Sequence, residues 1–247
     1  MDKHFELTDK FIINAFGAKL FQIKCTRKIK YADIGDLGGY IEKEDNLYGD
    51  AWVSGDARVY GYARVSGNAQ VSGNAQVYGD AWVFGDAQVF GDAQVSGDAW
   101  VSGNAQVYGY ARVSGDARVY GDAQVFGDAQ VSGDAWVSGD AQVSGNAQVS
   151  GYARVSGYAR VFGYARVFGD ARVSNDNEHC GFDCFGSANR HTHSYKTKSG
   201  KIEITCGCFR GSIEEFEKQI KETHRGNEFE RQYMAIVEVI KIKFGLK

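Results

Sequence analysis

The sequence predicts a parallel β-helix, a solenoid of short strands wound three to a coil, and three observations predict it. From Gly49 to Ser174 the chain reads Gly-x-Ala-x-Val-x twenty-one times without an insertion. Within each unit small or apolar residues alternate with polar or large ones, the period-two signature of a strand. Glycine is abundant, at 32 of 247 residues, while proline is absent. That pairing argues against collagen or a Pro-rich linker and for tight turns on a fixed period.

A helical reading fails on the same residues. Glycine every sixth place would weaken a helix repeatedly, and the Val and Ala spacing gives no face at 3.6 residues per turn. In the strand reading Val and Ala point inward, and Gly-Asp or Gly-Asn pairs turn the corners. Three sides close an eighteen-residue coil. The array therefore makes seven coils, roughly 34 Å long at about 4.8 Å per strand.

Three regions follow in order. Residues 1–48 form a cap: Phe11–Phe16, a turn at Gly17-Ala18 and Lys19–Cys25 read as a β-hairpin, and residues 34–48 read as a degenerate first coil. Residues 49–174 are the repeat array. Its open ends need covers, because an uncapped coil presents unpaired strand edges. Residues 175–247 read as a small α+β domain. Thr192–Thr197 and Lys201–Cys208 form a second hairpin. Ser212-Ile-Glu-Glu215 is a capping box for a helix with Ile213, Phe216 and Ile220 on one face. Asn227 caps a last helix with Phe229, Tyr233, Ile236, Val237, Ile240 and Phe244 at helical spacing.

The repeats resemble the hexapeptide-repeat family, whose members fold as left-handed parallel β-helices and whose best-known enzymes are acyltransferases. The lead-in Ile34-Gly-Asp-Leu-Gly-Gly-Tyr-Ile-Glu-Lys-Glu-Asp-Asn-Leu47 and the tail Cys206-Gly-Cys-Phe-Arg-Gly-Ser-Ile-Glu-Glu-Phe216 resemble segments of bacteriophage and prophage proteins of this type. The resemblance implies a non-enzymatic interaction protein, a homo-oligomer, and a partner among bacterial host proteins, a defence system included.

With no inserted residue, each side chain eclipses the one eighteen positions later, so the outward columns can be written from the sequence. The first carries Arg64, Trp82, Trp100, Arg118, Trp136, Arg154 and Arg172, holding three of the four tryptophans. The second carries Trp52, Gln70, Gln88, Gln106, Gln124, Gln142 and Arg160. The third carries Arg58, Gln76, Gln94, Arg112, Gln130, Gln148 and Arg166. Stacked glutamines and aromatics stabilise strand arrays by themselves. Trp and Arg are also enriched in binding hot spots, which makes the first column the predicted interface.

Chemistry finds little support. The array holds no His, Cys or Lys and no loop to wall a pocket, so an acyltransferase general base has no candidate there. The corner aspartates read as turn residues rather than a converging calcium site. Eight arginines against twelve aspartates give the array a net charge of −4, which disfavours binding along a phosphate backbone. No catalytic residue and no cofactor are predicted. Zinc on Cys180, Cys184, Cys206 and Cys208 is the alternative for the tail, beside a Cys–His pair using His191 or His193. The spacing matches no established zinc module, and buried free cysteine behaves as a small apolar residue. The charged start and the lack of any 20-residue apolar run predict a cytoplasmic chain off the membrane, and the resemblance implies that the cytoplasm is a bacterial host's. A small-molecule or nucleotide-binding protein, or a vestigial acyltransferase, is the competing reading of function.

Overall fold

The structure, a computed structural model, describes residues 3–246; Met1, Asp2 and Lys247 of the two terminal regions lie outside the described residues. Strands β1 (Phe5–Ile13) and β2 (Lys19–Cys25) form the expected antiparallel hairpin. Its turn is set by Asn14, whose side-chain oxygen accepts from the N–H groups of Phe16 and Ala18, and by Gly17 at φ +83°. Strand β3 (Leu37–Ile41) pairs antiparallel with β2 and parallel with the first rung of the third column, Tyr40 opposite Arg58. The hairpin thus extends one side of the solenoid, and Phe5, Ile23, Cys25 and Ile29 pack into its core.

Strands β4–β24 are the twenty-one two-residue rungs from Trp52–Val53 to Arg172–Val173, recurring every six residues. They stack in parallel as three columns in eighteen-residue register, making a solenoid of about seven turns. Each rung is fixed by backbone bonds to the next coil; Trp82 N–H donates to Ala99 O and Phe84 N–H to Val101 O, both at 2.9 Å. Every repeat Ala and Val is buried, so the core is a stack of methyl and isopropyl groups. The corner glycine has two reasons to be glycine. Gly97 sits at φ +66°, and a Cβ there would lie 2.9 Å from the nitrogen of Gly115 on the next coil. No other L-residue meets both demands at low cost.

The C-terminal domain is larger in sheet than the sequence reading. Strands β25 (His179–Phe185), β26 (Arg190–Lys196), β27 (Ile202–Cys206) and β28 (Phe209–Gly211) form one antiparallel sheet in that order. The outer two strands carry weak sequence signals, because β25 includes Gly181 and Asp183, both disfavoured in strands, and β28 is three residues long. Helix α1 (Ile213–Thr223) starts at the predicted capping box, with Ser212 Oγ accepting from Glu215 N–H and Glu215 Oε2 from Ser212 N–H. Helix α2 (Glu228–Phe244) is capped by Asn227 and ends at Gly245 in the left-handed region. Their buried faces close over Ile204 and Cys206. Strand β26 covers the solenoid's last coil: Tyr195 joins the Val/Ala core, and Ala171 bridges Thr197. No helix of the described residues is long and apolar enough to cross a membrane.

Candidate functional site

The register brings all seven residues of the first column onto one sheet, Arg64 and Trp82 opposite each other and so on to Arg154 and Arg172. Six of them form one continuous stack. The Arg64 guanidinium lies 5.2 Å from the Trp82 ring centre, and Trp82 and Trp100 are parallel at 5.5 Å. Arg118 is sandwiched between Trp100 at 5.0 Å and Trp136 at 5.3 Å, and Arg154 covers the far side of Trp136 at 4.2 Å. Arg172 ends the column and turns inward, donating to the carbonyls of Tyr152 and Ala171.

This stacking fixes what a partner would meet. Ring faces are covered by the neighbours above and below, and Trp82 and Trp100 each keep 38% of their surface open, mainly as edges on that account. Each cation–π contact at such a depth contributes about 0.5–1 kcal/mol, so the column stabilises the array as well as decorating it. Rigid aromatic and guanidinium groups also lose little conformational freedom on binding.

Two corner columns flank the stack. On one side Asp80, Asp98, Asp116 and Asp134 occupy successive coils, all exposed. The corner aspartates are expected as turn residues with no grouping among them; in eighteen-residue register these four form an unbroken acidic column. The ion pairs of the described residues lie elsewhere. On the other side Phe84 and Tyr120 set their rings edge-on to Trp100 and Trp136. The face therefore reads, across its width, acid, Trp/Arg, and a serine corner interrupted by Phe84 and Tyr120.

The second column departs from its expected outward display at both ends. Trp52 is only 2% exposed, and His4, just before β1, sits with its ring 6.2 Å from the indole and its Nε2 2.8 Å from Ala51 O. Arg160 receives the turn after the solenoid: its Nε and Nη2 both donate to Asp176 Oδ2, at 2.9 and 2.7 Å. The glutamine ladder breaks where the two end structures land on it. Other corners carry Asn over Asp, as in Asn104 Nδ2 donating to Asp122 Oδ1 at 3.0 Å, which agrees with a turn role.

The tail residues are scattered. Cys180 is half-buried, 3.1 Å from Ser194 Oγ, and burial pushes its thiol up. Cys206 is buried and accepts from Thr192 Oγ1 at 3.2 Å. Cys184 and Cys208 are exposed. A strand reaching Cys208 was expected; instead β27 stops at Cys206, and Gly207 at φ +60° turns the chain. Among the described residues no three His, Cys, Asp or Glu groups converge to hold a metal ion.

His193 is a structural histidine. It is 1% exposed, its Nδ1 donates to Arg166 O at 3.1 Å, and its Nε2 therefore accepts from His179 Nδ1 at 3.1 Å. Burial, followed by the neighbouring His179, pushes it down to about 3. Such a group stays neutral and is a poor base near neutral pH. Burial also lowers His179, whose free Nε2 faces Asp176 at 3.9 Å.

Eight stretches of the array, residues 51–67, 69–85, 75–91, 93–109, 111–127, 123–139, 129–145 and 141–157, match the YdcK beta solenoid repeat. The matches lie wholly within the repeats and agree with the observed coils. No curated protein matches the chain.

Proposed function

We propose that the chain is a non-enzymatic interaction protein that binds a protein partner through the first column. The observation that supports this reading is the stack from Arg64 to Arg154, a preassembled row of hot-spot residue types on a flat, rigid face. The flanking acidic column specifies the partner's chemistry: basic side chains beside an apolar patch that can meet the exposed Trp edges. The resemblance of the lead-in and tail to segments of bacteriophage and prophage proteins supports a partner among the proteins of a bacterial host, those of a defence system included.

The test compares Trp100→Ala, Arg118→Ala and Gln124→Ala. A partner captured from bacterial lysate is purified and its affinity measured against all three. Trp100 and Arg118 variants lose about 2 kcal/mol or more of binding, and the glutamine variant stays within error. Light scattering separates a foreign partner from a second copy. A fall in oligomer mass with Trp100→Ala assigns the face to self-association. Unchanged mass and unchanged affinity, with lost stability alone, would show the column to be structural stacking and overturn the proposal.

A further inference from the structure

A groove on the third column is independent of the Trp/Arg face. Strands β25 and β26 meet in a tip, residues 183–191, that overhangs this column. Between tip and column lies a cavity of about 690 Å³, the size of sites that hold a small ligand.

What distinguishes the groove is a break in the ladder rule. The corner residues beside this column run Asp56, Asn74, Asp92, Tyr110, Asp128, Asn146, Tyr164. Tyr-Ala-Arg units at 110–112 and 164–166 interrupt the Asx and Gln pattern, three rungs apart, and both line the groove. At about 4.8 Å per rung they stand roughly 14 Å from each other. The rungs between them keep ordinary polar residues, Gln130, Gln148 and Asn146, as the floor.

Arg190, on the tip, adds a third guanidinium to Arg112 and Arg166. Arg166 donates from Nη1 to Gly207 O at 3.0 Å, which holds it at the groove's end. Against these three cations stand two carboxylates. Asp183 accepts from His191 Nδ1 at 2.6 Å, and Asp128 lies on the column. The rings of Tyr110 and Tyr164 are 64% and 62% exposed.

From this arrangement we infer that the groove binds a nucleoside phosphate. Guanidiniums recognise phosphate oxygens bidentately, and an exposed phenol ring offers a stacking platform for a base. The floor amides both donate and accept, as a base edge requires, and Asp128 accepts from ribose hydroxyls. A bare anion would use the arginines and leave rings and amides idle. A long polynucleotide would meet the net −4 of the array beyond the groove.

The experiment is calorimetry of the full chain with ATP, GTP, CTP and UTP, and with adenosine and tripolyphosphate. At least one nucleotide binds saturably at micromolar levels, and adenosine and tripolyphosphate bind at least about tenfold more weakly. Arg112→Gln installs the residue found on both neighbouring rungs, so the melting temperature holds while affinity falls at least about tenfold. Tyr110→Asn installs a residue this corner carries at Asn74 and Asn146 and likewise lowers affinity, and Gln124→Ala, on the second column, changes nothing. No nucleotide binding at millimolar concentration, tripolyphosphate binding as tight as any nucleotide, or an Arg112→Gln variant of undiminished affinity would each overturn the inference.

Discussion

The solenoid and the C-terminal domain solve the same problem by opposite means. In the solenoid every coil offers the next an identical seat, so Val rests on Val and glycine on glycine at eighteen-residue intervals. In the C-terminal domain each contact is made once: Lys241 reaches Glu217 at 2.6 Å, Tyr233 stands edge-on to Phe216, and His193 finds the one carbonyl of Arg166. Repetition makes the first region tolerant of lost units and intolerant of lost register. Uniqueness makes the second the reverse.

Deletions expose that contrast with the largest effect. Removing residues 85–92 and 93 together, nine in all, breaks the six-residue phase and sets valines against solvent, and the fold is lost. Removing 85–90 keeps the phase but rotates each later column by one side, splitting the Trp/Arg stack and the glutamine ladder. Removing the whole coil 85–102 preserves both, and a cooperative β-rich melt remains. Circular dichroism melts of the three chains check the order; equal damage from all three would contradict eighteen-residue coupling.

Acid separates the regions next. The array from Gly49 to Ser174 contains no histidine, whereas the junction buries His179 and His193. With His193 depressed to about 3 in the fold and near 6.5 when unfolded, the unfolded state binds the extra proton between those values. Junction stability is therefore complete above pH 6.5 and falls as pH drops through that window, by about 1.4 kcal/mol per unit from this group. Burial raises Asp176, but hydrogen bonds and charge from Arg160 outweigh it and hold this carboxyl below its ordinary value. Its contribution is lost only lower down. Hydrogen exchange from pH 7.5 to 5 should show residues 179–206 opening while residues 64–137 stay protected. Parallel loss in both would sink this account.

The same contrast governs what the sequence could disclose. Columns, faces and the Trp/Arg stack were legible because one translation generates them all, and so was the acidic column of Asp80, Asp98, Asp116 and Asp134 once corners are read in the same register. The capping box at Ser212 was legible because it is local. Strand β25 and the burial of His193 were not, since they depend on which face the domain turns toward the last coil. The groove lay between these cases: the Tyr-Ala-Arg interruptions are visible in sequence, but the overhanging tip that roofs them is not. Cys208 misled because strand alternation continued past Gly207 on paper, where the backbone turns.

Truncating the stack should have a moderate effect. Trp100→Ala removes one parallel aromatic contact at 5.5 Å, one edge-on contact with Phe84 at 6.2 Å and one cation–π contact at 5.0 Å. It leaves the Val/Ala core untouched, so about 1–2 kcal/mol is expected from these contacts together. Gln106→Ala, on the second column, should cost less than half of that. Denaturant titration of both variants decides the matter, and a Trp100→Ala chain as stable as the parent would mean that the column is display alone.

The smallest effect belongs to the seam between the two regions, and it tests why a ladder ends where it does. The second column is glutamine from Gln70 to Gln142 and becomes arginine at Arg160, where Asp176 wraps over it. Both side chains are well exposed, at 63% and 42%, so solvent screening limits the pair to about 1 kcal/mol or less. Arg160→Gln restores the ladder residue and should leave the solenoid's melt unchanged. It should still loosen the turn at residues 174–178, because Asp176 Oδ2 loses two charged donors and keeps only the Arg160 N–H bond through Oδ1 at 2.8 Å. Moving the arginine one rung inward, as Gln142→Arg with Arg160→Gln, should not repair it, since Gln142 lies a full coil away from Asp176. Exchange rates of the amides of residues 174–178 distinguish the outcomes. Equal protection in all three chains would show that the ladder ends at Arg160 for some reason other than the landing of the C-terminal domain.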